Sequence, residues 1–150
     1  MGLIRIALAW IAAAAFMAVA GTMAQSAFVL ADLAAIGAPL GAGDITGHIA
    51  HDLAGLAPLY GALIAIAFLI AFPAGVLAAR LTRLPRALVL GAAGLTAMAV
   101  MLALMEPVFF GVQPIAGARS LAGQGVQALL GLISGLIFAG LTPRREKSAI

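Results

Sequence analysis

The chain has 150 residues, of which 65% are hydrophobic and 9% are charged, and its mean hydropathy is +1.20. Because soluble domains average about 25% charged residues, this composition excludes a water-exposed globular surface. The chain has no cysteine, which excludes disulfides and thiolate metal sites. The net charge of +3 does not indicate a nucleic-acid partner, because the basic residues cluster in particular loops.

Four apolar segments reach the length of about 20 residues that a membrane-spanning helix needs. They cover residues 3–30, 59–79, 87–105 and 121–141. We therefore predict an all-α integral membrane protein, one domain formed by a bundle of four transmembrane helices. The first segment is longer than required, and we expect Gln25 and Ser26 to mark its wet end. Residues 1–22 also resemble a signal peptide, but the apolar run continues past Ala18-Val19-Ala20, which favours a retained span.

Basic residues are divided unevenly between the two ends of the predicted bundle. The end with both termini carries Arg5, Arg80, Arg83, Arg86, Arg144, Arg145 and Lys147, and the opposite loops carry Arg119. The positive-inside rule then predicts that both termini are cytoplasmic. The many Ala and Gly residues fit a bacterial source, and so we expect the bacterial cytoplasmic (inner) membrane. Arg80, Arg83 and Arg86 form a predicted cytoplasmic basic anchor for anionic headgroups.

The stretch GDITGHIAHDLAGLAP, residues 43–58, contains both histidines of the chain. On a helical projection its polar residues share one side and its large apolar residues the other. We predict an amphipathic interfacial helix over about residues 44–56, lying flat in the outer interface. Asp44 is its expected N-cap, and Pro58 is expected to separate it from the second span.

The polar side of this helix is also a candidate site. It consists of Asp44, His48, His51 and Asp52. The histidines are three residues apart and each aspartate is four residues from His48, which could hold a divalent metal ion or relay protons. The alternative is a solvated helix side that binds nothing. We predict no other cofactor.

The second outer loop could extend this site. Glu106 ends the third span and Arg119 precedes the fourth, so we expect a salt bridge between them, with Ser120 as the N-cap of the fourth span. A wider outer-face polar site would then combine Asp44, His48, His51, Asp52, Glu106, Arg119, Gln113 and Gln124. Such a site could bind a lipid headgroup, a quinone headgroup or a small solute.

The fourth span contains the pair Gly131 and Gly135 in a G-x-x-x-G pattern, with Gln127 on nearly the same stripe. Small residues let helix backbones approach closely, so these residues are predicted to pack against another helix. That helix could belong to the same bundle or to a partner protein.

No motif in the sequence indicates an enzyme. We expect a small polytopic membrane protein that acts as a non-catalytic subunit, scaffold or accessory protein. Its expected partners are the lipid bilayer and other membrane helices, including those of a second copy. Two alternatives stay open. One is a small oligomeric transporter or channel for a cation or small solute that uses the outer-face residues, and the other is an outer-face metal-binding or redox protein.

Overall fold

The computed structural model describes residues 2–39, 41–82, 84–111 and 114–142. These residues form helices α1 (Leu3–Ala35), α2 (Ala42–Leu81), α3 (Arg86–Val108) and α4 (Leu121–Leu141), with a short 3-10 helix at Ala116–Ala118 and no strand. All four α-helices are long and apolar enough to cross a membrane. The predicted all-α class with four transmembrane helices is confirmed.

The four helices form an up-and-down bundle in chain order. α1 packs on α2, α2 on α3 and α3 on α4, and α4 closes the ring against α1. The Arg5 Nε donates to the Leu141 carbonyl oxygen at 3.0 Å, so the start of α1 lies beside the end of α4. We call this end, which also carries Arg86, the terminal end. The opposite end, with His48 and Arg119, is the histidine end.

The centre of the bundle is built from aromatic and aliphatic side chains at a helical spacing of four residues. Tyr60, Ile64, Phe68 and Phe72 of α2 are each at most 1% exposed. The four-residue period places them on one side of the helix. The Phe72 ring stacks on those of Phe68 and Phe138, with centroid distances of 4.6 and 4.4 Å. This aromatic stack fixes α2 against α4.

α3 and α4 approach each other closely because glycines face each other in their contact. A Cβ atom on Gly94 would overlap the Gly131 carbonyl oxygen, and one on Gly131 would lie 2.5 Å from the Gly94 carbonyl oxygen. A Cβ atom on Gly135 would overlap the Leu90 carbonyl oxygen. The G-x-x-x-G pair therefore packs inside the chain, against α3.

α1 and α2 are longer than the spans predicted for them. They contain 33 and 40 residues, which is about 50 and 60 Å, against a hydrocarbon core of about 30 Å. α1 ends in a Schellman motif, in which Gly37 adopts φ +80°. The Gly37 amide donates to Ala34 at 3.0 Å and the Ala38 amide to Leu33 at 3.1 Å. The turn returns the chain into α2, and the two helices form a hairpin at the histidine end.

Pro58 does not separate an interfacial helix from the second span, and this prediction is wrong. α2 continues through Pro58, so residues 44–56 are helical but form the first part of α2. The proline leaves the Ala54 carbonyl without its helical donor, and Ala54 is exposed, where water or a headgroup can solvate it. Asp44 is not the N-cap, since α2 begins at Ala42. Its Oδ2 accepts the Gly41 amide at 2.9 Å.

Candidate functional site

A polar cluster of Ser26, His48 and Asp52 lies between α1 and α2 at the histidine end. The Ser26 Oγ lies 2.7 Å from Asp52 Oδ2 and 3.1 Å from the Thr22 carbonyl oxygen, and its single hydrogen is shared between them. The His48 Nε2 lies 3.5 Å from Asp52 Oδ2, but the geometry does not make a hydrogen bond. Ser26 is fully buried, and only 14% of the Asp52 side chain is exposed. The expectation that Ser26 marks a wet end is wrong, because Asp52 covers it.

Asp44 and His51 do not join this cluster. The Asp44 carboxylate accepts a hydrogen bond from the Gly41 amide at the start of α2. His51 is exposed and lies about 60° around the helix from His48. Among the described residues no three His, Asp or Glu side chains come together as a metal site requires. The four residues of the predicted metal arrangement are therefore not gathered as a group of three or more, since the Asp44 carboxylate accepts the Gly41 amide and His51 is exposed.

The loop between α3 and α4 does not bring Glu106 to Arg119. Glu106 is exposed at the last turn of α3, and among the described residues no ion pair joins the two. Arg119 instead lines a pocket together with Asp32 of α1. The Gln124 Nε2 donates to the Ala118 carbonyl oxygen at 3.1 Å and so holds the 3-10 helix. Gln113, another member of the predicted site, lies outside the described residues.

The pocket that contains Arg119 has a volume of about 470 Å³ and opens at the histidine end, between the last turns of α1 and the α3–α4 loop. Its polar lining is Asp32, Arg119 and Ser120, and its apolar lining includes Phe28, Val29, Leu33 and Ile36. Ser120 is the predicted N-cap of α4, and its Oγ accepts the Gly123 amide at 3.0 Å. Asp32 is not among the site residues that the sequence predicts. The only sign of Asp32 in the sequence is that it is a single charged residue among apolar residues at helical spacing near the end of α1.

The loop reaches α1 because Gly117 packs directly on that helix. A Cβ atom on Gly117 would lie 2.6 Å from Gln25 Cα. Gln25 is only 7% exposed, so the expectation that it marks the wet end of the first span is also wrong. The contact with Gly117 buries Gln25 and draws the following residues, including Arg119, towards α1 and away from Glu106.

A second polar link joins α1, α2 and α4 inside the bundle. The Tyr60 Oη donates to Gln127 Oε1 at 3.0 Å, and Gln127 Nε2 donates to the Gly21 carbonyl oxygen at 2.8 Å. Tyr60 and Gln127 are each 1% exposed. A Cβ atom on Gly21 would lie 2.8 Å from Gln127 Oε1, so glycine provides the space for the amide. The sequence predicts Gln127 on a packing stripe and Gly21 among the small residues of the first span, but it does not predict their link through Tyr60.

An apolar groove of about 640 Å³ follows the outside of the bundle between α2 and α3. Its small lining residues include Ala67, Ala71, Ala74, Ala78, Ala92 and Ala93. Thr96 also lines the groove and is exposed near the middle of α3. Within the described part of the chain the Thr96 hydroxyl has no hydrogen-bond partner, whereas those of Thr22 and Ser134 each donate to the carbonyl four residues earlier.

The predicted basic anchor at the terminal end has two different structural roles. Arg80 is exposed in the last turn of α2, whereas Arg86 reaches across to α4. The Arg86 Nη1 donates to the Ala139 carbonyl oxygen at 2.9 Å and Nη2 donates to Thr142 Oγ1 at 2.7 Å. Arg86 thus places positive charge at the negative end of the α4 dipole. Arg83 lies outside the described residues.

The helices and their connections define a polytopic all-α membrane protein. Comparison of the chain with models of protein families, with curated proteins and with solved structures finds no match.

Proposed function

We propose that this protein is a non-catalytic membrane subunit, a scaffold or accessory protein, that receives a transmembrane helix of a partner protein in the groove between α2 and α3. The observation that carries the proposal is the Thr96 hydroxyl, which lies in this groove and has no hydrogen-bond partner among the described residues.

The length of the groove supports a helix as the occupant. Its lining residues extend over 63–78 of α2 and 89–104 of α3, each about 24 Å long. A hydrocarbon core is about 30 Å thick, so the groove follows most of a membrane-crossing segment. A compact solute would fill only part of that length.

The lining of the groove supports close helix packing. Alanines at helical spacing let a partner backbone approach and gain van der Waals contact, which drives helix association in lipid. The glycine pair of α4 is already packed against α3. The groove is therefore the small-residue surface that this proposal assigns to a partner.

Thr96 favours a helix over an acyl chain. A hydroxyl in hydrocarbon gains from any acceptor, and an acyl chain supplies none. An interhelical hydrogen bond in a membrane contributes about 0.6 kcal/mol on average and at most about 1.7 kcal/mol. We therefore expect the partner helix to present a polar side chain or an accessible carbonyl at the level of Thr96.

Site-specific photo-crosslinking tests this proposal. A photoreactive residue at Ala74, which is exposed in the groove, should give one discrete protein adduct in native membranes, and the same residue at Ala15, exposed on α1, should not. Thr96→Val should lower the yield of the Ala74 adduct about three-fold, the factor for 0.6 kcal/mol. Equal adducts at Ala74 and Ala15, a yield unaffected by Thr96→Val, or an adduct with a second copy of this chain would each overturn the proposal.

We also propose a bacterial cytoplasmic membrane as the location, with both termini in the cytoplasm. The support is the excess of Lys and Arg in the sequence segments on the predicted side of both termini, of which Arg83, Arg144, Arg145 and Lys147 lie outside the described residues. Because the chain has no cysteine, a single cysteine introduced by substitution is the only thiol that a maleimide can label, and its labelling reports on which side of the membrane it lies. An impermeant maleimide added to intact cells should label Ala42→Cys and leave Thr82→Cys unlabelled, and the reverse pattern would contradict this orientation.

A further inference from the structure

We infer that a pocket between α1 and α2 near the terminal end holds the glycerol ester region of a phospholipid, whose ester carbonyl accepts the Trp10 indole N–H and whose phosphate lies at Arg80. This inference is independent of the proposed groove, because the two surfaces share no residue.

The pocket has a volume of about 240 Å³ and is formed by α1, α2 and one residue of α4, Phe138. Trp10 is the one lining residue whose side chain carries a polar atom, and the others include Leu3, Ile6, Leu69, Phe72 and Pro73. Such a lining suits hydrocarbon with a single hydrogen-bond acceptor, and it does not suit an ion or a polar solute.

The indole N–H of Trp10 is the feature that requires an acceptor. Its Nε1 is buried and has no hydrogen-bond partner in the described part of the chain. Indole nitrogen is a donor only, and leaving a buried donor unpaired is costly. Leu3 and Leu69 line the same pocket and are 82% and 60% exposed, so their side chains can turn to let an acceptor reach the indole.

The depth of the pocket identifies the acceptor as a lipid ester. The 21 residues of α4 span about 32 Å, close to the hydrocarbon thickness of about 30 Å. Phe138 precedes Leu141, the end of α4, by three residues, which is about 4.5 Å. Side chains on α1 tilt towards its start, so the Trp10 indole is directed towards the terminal end. It therefore lies near the boundary of the hydrocarbon core, where tryptophan is enriched in membrane proteins and where phospholipids present their ester carbonyls.

Arg80 supplies the positive charge that a phosphate needs. It follows Pro73 by seven residues, two turns of α2, and so lies on the same side of that helix as the pocket. Its side chain is exposed, and no ion pair joins it to another described residue. The tilt of side chains towards the start of a helix directs its guanidinium towards the pocket, and arginine forms charge-assisted hydrogen bonds with phosphate.

Native mass spectrometry of the full chain tests the inference with two synthetic phosphatidylglycerols of equal chain length. One is ester-linked, and the other is ether-linked and has no carbonyl. The ester-linked lipid should bind about five-fold more tightly, the factor expected for one hydrogen bond. Trp10→Phe keeps an aromatic ring without the N–H and should abolish this preference. Arg80→Gln should weaken binding of both lipids about five-fold and leave their ratio unchanged, whereas Arg119→Gln, at the histidine end, is the control and should change neither.

Fluorescence gives a second measurement, because Trp10 is the only tryptophan of the chain. Ester-linked phosphatidylglycerol brominated near the carbonyl end of its chains, diluted into the ether-linked lipid, should quench Trp10 by more than its share of the bilayer. Leu88→Trp in the Trp10→Phe background is the control. Leu88 is 63% exposed on α3, two residues before Leu90, which contacts Gly135 of α4. This places Leu88 at a depth similar to that of Trp10, and its quenching should follow the bulk fraction of brominated lipid.

Other results would overturn the inference. Equal binding of the ester and ether lipids by the parent chain, or an unchanged preference in Trp10→Phe, would show that the indole does not bind an ester carbonyl. Unchanged binding by Arg80→Gln would place the phosphate elsewhere, and displacement of the lipid by an uncharged isoprenoid quinone at an equal concentration would identify a quinone site instead. The helical circular dichroism of each variant should equal that of the parent, which separates loss of binding from loss of fold.

Discussion

Replacing Gln127 with leucine removes the polar link at the centre of the bundle while keeping a side chain of similar size. The change deletes the acceptor for Tyr60 Oη and the donor to the Gly21 carbonyl oxygen. Two interhelical hydrogen bonds at about 0.6 kcal/mol each amount to about 1.2 kcal/mol. The Tyr60 hydroxyl would then be buried without an acceptor, at a cost of about 1 kcal/mol or more. We expect Gln127→Leu to lower the free energy of unfolding by about 2 kcal/mol.

A double-mutant cycle separates this link from general packing. Tyr60→Phe alone should cost about 1 kcal/mol, but in the Gln127→Leu background it should be neutral or stabilising, because it removes the unpaired hydroxyl. The free energy of unfolding of the parent, the two single variants and the double variant is measured in mixed micelles with increasing dodecyl sulfate, and far-ultraviolet circular dichroism follows the unfolding. Leu129→Ala, on an exposed surface of α4, should be additive with Tyr60→Phe. A Tyr60–Gln127 coupling within about 0.3 kcal/mol of zero would refute the reasoning.

The same assay tests three further changes. Gly131→Ala places a Cβ atom 2.5 Å from a carbonyl oxygen of α3 and should lower the free energy of unfolding by about 2 kcal/mol. Gly125→Ala, which has no neighbour within 4 Å, is the control and should be neutral or stabilising. Equal effects of the two changes would contradict close α3–α4 packing. Arg86→Gln should lower the free energy of unfolding by about 1 kcal/mol, because it loses contacts with the end of α4. Arg80→Gln, at an exposed position, should lower it by less than about 0.5 kcal/mol. Phe110 is 99% exposed at φ 57°, so Phe110→Gly should stabilise by about 1 kcal/mol; a loss of stability would indicate that the ring makes a contact of its own.

The spans could be predicted because a bilayer permits few backbone arrangements. Every backbone polar group in hydrocarbon must be paired, so a long apolar run becomes a helix. The bounds of α4 agree with the prediction, because its apolar run begins at a capping serine. The ends of α1 and α2 at the histidine end could not be found in this way. Hydropathy falls after Leu30 and before Leu59, but the intervening segments are rich in alanine, which favours helix in water as well.

The candidate site was harder to predict because its contacts join residues far apart in the chain. The helical projection placed four polar residues on one side of one helix, but it carried no information about α1. Ser26, which donates to Asp52, lies on α1, the helix before the one that carries both histidines. The expected Glu106–Arg119 pair relied on closeness in the chain. The contact of Gly117 with α1 redirects that loop, and no pattern within the loop itself encodes it.

The unbroken course of α2 has a mechanical consequence. From Tyr60, inside the bundle, to His48 the helix extends about 18 Å, so a rotation of about 10° at Tyr60 moves the imidazole by about 3 Å. The hydrogen bond from Ser26 to Asp52 would couple α1 to the same movement. A force on the tip of the α1–α2 hairpin would then act on the hydrogen bond between Tyr60 and Gln127, which joins α2 to α4.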